Sequence, residues 1–159
     1  MKNILILCLV LIAAWQFLHR DSVDRDKLGS DEINNLGVDV AAVDAVAIDS
    51  SKLLQRAFEQ QQSDIQVQGV GRVIRLLADD TRGSKHQKFI VKVSAQQTIL
   101  IAHNIDLAPR VANLNVGDKL EFYGEYEWNN KGGVIHWTHH DPRGYHVDGW
   151  LKHDGRVYQ

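Results

Sequence analysis

Val116-Gly117-Asp118-Lys119-Leu120-Glu121-Phe122-Tyr123-Gly124-Glu125-Tyr126-Glu127-Trp128 is the stretch that decides the fold. Leu120, Phe122, Gly124, Tyr126 and Trp128 fall on one side of an extended chain, and Glu121, Tyr123, Glu125 and Glu127 on the other. A period of two is what a half-buried strand requires. The Val-Gly-Asp turn leads into it, and Asn129-Asn130-Lys131-Gly132-Gly133 reads as a hairpin loop to a further strand, Val134-Ile135-His136-Trp137-Thr138. Trp128 continues the apolar face, and the glutamates read as a solvated acidic one.

Working upstream, the same alternation appears three more times. Ile65 and Val67 alternate with Gln66 and Gln68, and the run continues through Val70, Val73 and Leu76 with Gly69 and Gly71 as bulge positions. Asp79-Asp80 is a hairpin corner, and Asp80-Thr81-Arg82-Gly83-Ser84 turns the chain into Phe89-Ile90-Val91-Lys92-Val93. Gln96-Gln97 separates that strand from Thr98-Ile99-Leu100-Ile101-Ala102-His103, and the irregular stretch from Asn104 to Asn115 has room for one helical turn around Ala108–Asn113. Five strands with a long, glycine-interrupted first strand and a break after the third describe a mainly β, five-stranded Greek-key barrel. Over residues 64–139 it resembles the OB-fold, whose sheet face and end loops commonly bind oligonucleotides or oligosaccharides.

Two other segments precede the barrel, which with a His-rich C-terminal wrap is expected to occupy 64–159. Residues 1–20 hold Lys2 and an apolar run from Ile4 to Leu18, the pattern of a signal peptide or signal anchor. The chain is therefore expected to be exported: periplasmic, anchored in the inner membrane through this segment, or secreted. Trp15, Phe17 and Leu18 stand where a cleavage site needs small residues, so a cleaved leader and a retained anchor both stay open. Residues 21–63 read as an acidic linker with an amphipathic helix near 51–62, capped by Ser50 or Ser51 and carrying Leu53, Leu54, Ala57 and Phe58 on one stripe.

Composition sets the outer limits. The chain has 159 residues, 44% hydrophobic and 24% charged, which suits one ordinary domain and excludes a multidomain enzyme or a wholly disordered chain. Its single cysteine, Cys8, lies in the apolar leader, so the rest of the chain has neither disulfides nor thiolate metal ligands. Charge is nearly balanced, with 18 basic and 20 acidic side chains, which excludes a histone-like polycation. Histidine is not evenly spread: seven of eight lie beyond residue 64.

Five of those form the dense stretch His136-Trp137-Thr138-His139-His140-Asp141-Pro142-Arg143-Gly144-Tyr145-His146-Val147-Asp148-Gly149-Trp150-Leu151-Lys152-His153. Asp141-Pro142-Arg143-Gly144 is a turn sequence that ends the last strand. It is expected to gather His139, His140 and Asp141 at the barrel rim, with His103 and His86 brought to the same end by the connectivity. The run HWTHHDPRG, with HQKFIV, IAHNIDLAPR and GWLKHDGRVY, resembles a family of small exported bacterial proteins of uncharacterised function carrying an HWTHHDP motif on an OB-like barrel. That resemblance implies no activity.

Three readings of the cluster follow from its chemistry. The first is a binding rim for an anionic or polymeric ligand, an oligonucleotide or a glycan, formed by Trp137, His139, His140, Asp141, Arg143 and Tyr123, with aromatic faces for stacking. The second is a metal-dependent hydrolase of phosphodiesterase type, with Zn²⁺ or another divalent ion held by His136, His139, His140, Asp141, His103 and His86. The third is a structural set of imidazoles tying the tail to the barrel. No serine or cysteine nucleophile stands in a recognisable setting, and neither a two-histidine helical motif nor a phosphate-binding glycine loop is present.

Overall fold

The computed structural model describes residues 40–159, so the leader and most of the acidic linker lie outside the described residues. The first element, α1 (Val40–Glu59), begins eleven residues before the expected start near 51 and absorbs the end of the acidic linker. Ser50 and Ser51 therefore do not cap it. They lie inside it, and their hydroxyls donate to the carbonyls of Ala47 and Ile48. Leu54 and Ala57 are buried in the barrel's own core cluster. The buried Gln97 amide fixes the helix in place by donating to the Leu54 carbonyl at 3.1 Å. No helix among the described residues is long and apolar enough to cross a membrane.

Seven strands follow: β1 (Ile65–Leu76), β2 (His86–Lys92), β3 (Thr98–Asn104), β4 (Lys119–Glu127), β5 (Val134–His136), β6 (Trp150–His153) and β7 (Arg156–Tyr158). β1 pairs antiparallel with β4 from Ile65 to Arg72 and with β2 from Arg72 to Leu76. One long strand thus joins both ends of the sheet and closes it. The remaining contacts are β2 with β3 antiparallel, β3 with β5 parallel, and β5 with β4 antiparallel. Five strands make the closed barrel, and Val73, Phe89, Val91, Ile99, Ile101, Leu120, Phe122 and Ile135 fill it. Gly71 sits at the crossover because a Cβ there would strike the Val91 side chain and the Lys92 carbonyl. The register slip comes just beyond it, between Val73 and Arg75.

The fifth strand is shorter than its alternation predicts. It stops at His136, because Trp137 turns into the left-handed region (φ 51°). The stretch 108–113 carries no helix; one turn closes just before it, where the Ala108 N–H donates to the Asn104 carbonyl at 3.1 Å. After a loop, β6 returns to pair with the first half of β4 (Glu121 with Lys152, Phe122 with Leu151, Tyr123 with Trp150), while β5 holds its second half. β7 folds back on β6 through Asp154-Gly155, both at positive φ, the geometry of a tight hairpin turn. The C-terminal wrap is a two-stranded extension of the sheet, sealed by buried Leu151 and Tyr158.

Candidate functional site

The loop from Trp137 to Gly149 leaves β5 and re-enters β6, and its form comes from two aspartates. Asp141 is buried, and its carboxylate accepts the backbone N–H groups of Arg143, Tyr145 and His146 at 3.0, 2.7 and 2.9 Å. These bonds, the Arg143 amide foremost, hold its pKa below the usual carboxylate value. Asp148 closes the other side: it accepts from the Asp141 amide at 2.8 Å and faces His140 Nδ1 at 2.7 Å. The Gly149 amide donates to the His139 carbonyl at 3.0 Å and draws the base of the loop together. A loop fixed from inside leaves its tip outside. Arg143 is exposed, and Tyr145 is 89% exposed.

Beneath the tip, the His146 ring lies on Trp137 with centroids 4.1 Å apart. Its Nδ1 faces the Val147 carbonyl at 2.8 Å and its Nε2 faces Glu125 Oε2 at 2.7 Å. Burial opposes a charge on this ring. The bonds to Val147 and Glu125 nonetheless raise its pKa above the ordinary imidazole value.

Glu125 is the middle of a row across three strands. It pairs with Gln66 on β1 and with His136 on β5, so all three side chains leave the sheet on one face. His136 Nε2 is 3.3 Å from Glu125 Oε1 and 4.0 Å from Glu127 Oε1. Burial holds the His136 pKa down, against the pull of Glu125 and Glu127. Its Nε2 is shut off from solvent and makes no hydrogen bond, and both polar atoms of the Gln66 amide are in the same condition. Of the four such side-chain atoms among the described residues, three belong to this row, which marks it as the least satisfied polar spot in the fold.

The six expected metal ligands do not converge. Among the described residues, the trio able to offer donor atoms within 4.8 Å of one another is Glu125, Glu127 and His136. His103 is the third inward residue of β3 after Ile99 and Ile101. Its Nε2 donates to the Pro109 carbonyl at 3.1 Å, and its Nδ1 accepts from the Thr138 hydroxyl at 2.9 Å. Burial drives its pKa down to about 4. His139 is buried with Nδ1 on the His140 carbonyl, His140 pairs with Asp148, Asp141 is spent on loop amides, and His86 Nδ1 donates to the Ser84 carbonyl. His153 is buried against Asp118 at 2.9 Å.

The aromatic residues are placed differently. Tyr123 and Trp150 are cross-strand partners on the outer face with ring centroids 6.2 Å apart, and Trp137 is half-buried beside the loop. Sequence reasoning missed Gln66, Glu125 and Glu127 as members of a site. Strand alternation assigns the glutamates to the outer face, but it does not say that His136 stands opposite Glu125.

A search of the curated proteins gives no match. One solved structure, described as "Structural mimicry for functional antagonism", is 19% identical with a TM-score of 0.40 over 64% of this chain. This chain spans 42% of that chain's length, and a likeness so distant carries no functional argument. A family model described as "Protein of unknown function (DUF3465)" matches residues 36–159, which takes in α1, the whole barrel, the aspartate-pinned loop and the β6–β7 extension; the chain belongs to that family.

Proposed function

We propose that the protein is an exported binding module for a polymeric ligand of the glycan class, taken by the loop between β5 and β6 and the adjoining outer face of β4. The observation that carries this reading is the loop pinned by Asp141. Three backbone hydrogen bonds to one buried carboxylate hold open a tip that presents Tyr145 to solvent. A tyrosine on a backbone held this way offers a large contact area, with the ordering cost of the loop backbone already met in the free protein. Trp150 and Tyr123 supply further half-exposed rings, suited to stacking on sugar rings, while one face of Trp137 is taken by the His146 ring.

Charge separates a glycan from an oligonucleotide. Glu121, Glu125 and Glu127 lie on the same outer face of β4 and make it unfavourable for phosphates, even with Lys152 3.5 Å from Glu121 and His146 2.7 Å from Glu125. Arg143 at the loop tip is free to meet an acidic substituent. Export rests on the apolar run from Ile4 to Leu18. A hydrolase using His136, His139, His140 and Asp141 is not favoured, because His139 and Asp141 are engaged by backbone groups. His103, His139 and His153 are read as structural imidazoles.

Tryptophan fluorescence, titrated with neutral and anionic oligosaccharides and with a single-stranded oligonucleotide, tests the reading. A saturable change with a glycan is expected, weakened about tenfold or more in Tyr145→Ala and Arg143→Ala without a change in melting temperature. A response to the oligonucleotide alone would replace the ligand class, and no response to any of them would overturn the binding role.

A further inference from the structure

Glu125 and Glu127 leave β4 on the same face, and His136 leaves β5 directly opposite Glu125, with a solvent-excluded Nε2 that no hydrogen bond satisfies. We propose that Glu125, Glu127 and His136 form a binding site for a divalent transition-metal ion, Zn²⁺ foremost, on the outer face of β4 and β5.

The distances suit the ion. A tetrahedral Zn²⁺ with nitrogen and oxygen donors at about 2.0–2.2 Å places those donors roughly 3.3–3.6 Å apart. His136 Nε2 and Glu125 Oε1 already stand at 3.3 Å. The 4.0 Å gap to Glu127 Oε1 closes by a small movement of a side chain that is about a third exposed. All three donors lie within 4.8 Å of one another.

Ligand chemistry narrows the choice of metal. Mg²⁺ and Ca²⁺ take oxygen donors, whereas an imidazole nitrogen beside carboxylates suits Zn²⁺ and its first-row neighbours. Two carboxylates balance the charge of the ion, and three protein donors leave a fourth position open, as in sites that engage an external ligand.

The surroundings are those of a held ligand set. Glu125 turns its second oxygen to His146 Nε2, and His146 is itself fixed by the Val147 carbonyl and by its stack on Trp137. Such outer contacts orient a coordinating carboxylate. On the other flank of Glu125, Gln66 stands opposite in register with neither polar atom of its amide satisfied, so an unpaired donor and acceptor lie in the same row. This site shares Glu125 and Glu127 with the outer face of β4 assigned to the glycan but none of the loop-tip residues, so Zn²⁺ titration without a glycan tests it separately from Tyr145→Ala and Arg143→Ala.

The test uses the full chain without a histidine tag, stripped with EDTA and titrated with ZnCl₂ by calorimetry, and with CoCl₂ by visible absorption. One Zn²⁺ per chain is expected, with micromolar or tighter affinity and no competition from millimolar Mg²⁺. Glu127→Gln and His136→Gln should each weaken Zn²⁺ by about tenfold or more, and the Co²⁺ bands should be lost in His136→Gln. His140→Ala, at the exposed histidine paired with Asp148, should change neither. Melting curves in EDTA show whether each variant is folded, and Glu127→Gln, at a partly exposed position, keeps the test valid if His136→Gln is not. Absence of stoichiometric Zn²⁺ would overturn the proposal. So would a folded Glu127→Gln that binds as tightly as the parent, or loss of binding in His140→Ala.

Discussion

Trp137 and His146 are stacked face to face, their ring planes 7° apart and their centroids separated by 4.1 Å. Nine residues apart in sequence, they meet because the intervening loop is folded back by Asp141 and Asp148. The ring current of an indole at that distance places the His146 ring protons upfield of those of exposed His140. Trp137→Ala is expected to return them to ordinary positions while leaving His103 unmoved. Histidine ring resonances in a two-dimensional NMR spectrum read this directly, and an unshifted His146 in the parent protein would show that the stack does not persist in solution.

Asp141 makes a second expectation. Replacing it with alanine removes the acceptor for three amides and leaves the barrel core untouched. Hydrogen exchange at residues 143, 145 and 146 should accelerate by about tenfold or more, while exchange in β1–β4 stays as it was. Uniform acceleration across the chain would mean that the loop and the barrel unfold as one unit.

His103 gives the fold a pH dependence whose sign is fixed by its burial. Its pKa is about 4 in the folded protein against an ordinary 6.5. Between those values the unfolded chain binds a proton that the folded chain refuses, so stability falls as pH drops from about 6.5 to about 4 and this contribution levels off below. The full effect is about 3 kcal/mol. His103→Leu should be less stable at pH 7, because the Thr138 hydroxyl and the Pro109 carbonyl lose their partner, at about 1–3 kcal/mol each. It should also lose less stability between pH 7 and pH 4.5 than the parent. Denaturant melts at both pH values check this, and equal losses would assign the acid sensitivity elsewhere.

Two glycines in one loop should behave oppositely. A Cβ on Gly149 would press into the backbone carbonyls of Trp137 and Tyr123, where the chain squeezes back between β5 and β4. Gly149→Ala is therefore expected to cost more than about 2 kcal/mol and to release β6. Gly144 has φ 67° but nothing within 4 Å of an added Cβ, so Gly144→Ala should cost only the conformational strain of about 1 kcal/mol. Thermal melts of the two variants rank them, and similar losses would contradict the close approach at Gly149.

Alternation made the barrel legible in the sequence. Leu120, Phe122 and Tyr126 point inward as their period of two requires, and the acidic alternates point outward. The two added strands have a sequence signal too, since Trp150 to His153, Asp154-Gly155 and Arg156 to Tyr158 have the form of a hairpin, but the density of histidines there points instead to a wrap. Ser50 and Ser51 misled because a serine that starts a helix and a serine that bonds back within one look alike in sequence.

The site was hidden for another reason. The parity that puts Ile99 and Ile101 in the core also puts His103 there, and with it the expected ligand set comes apart. Its replacement depends on cross-strand register. Gln66, Glu125 and His136 lie 59 and 11 residues apart in the chain, and only the pairing of β1, β4 and β5 brings them into one row.

β4 borders three other segments: β1 along one edge, and β5 and β6 in succession along the other. When the ribosome has delivered β4, the partner for its first half, Trp150–His153, is still roughly twenty-five residues from synthesis, and the second edge stands open along Glu121, Phe122 and Tyr123. Long-range strand pairings of this kind are slow to form and expose such edges meanwhile. Completion of the molecule is thus timed by its C-terminal hairpin, and any clipping of residues 150–158 would leave a sticky strand edge and a breached core in place of a slightly shorter barrel.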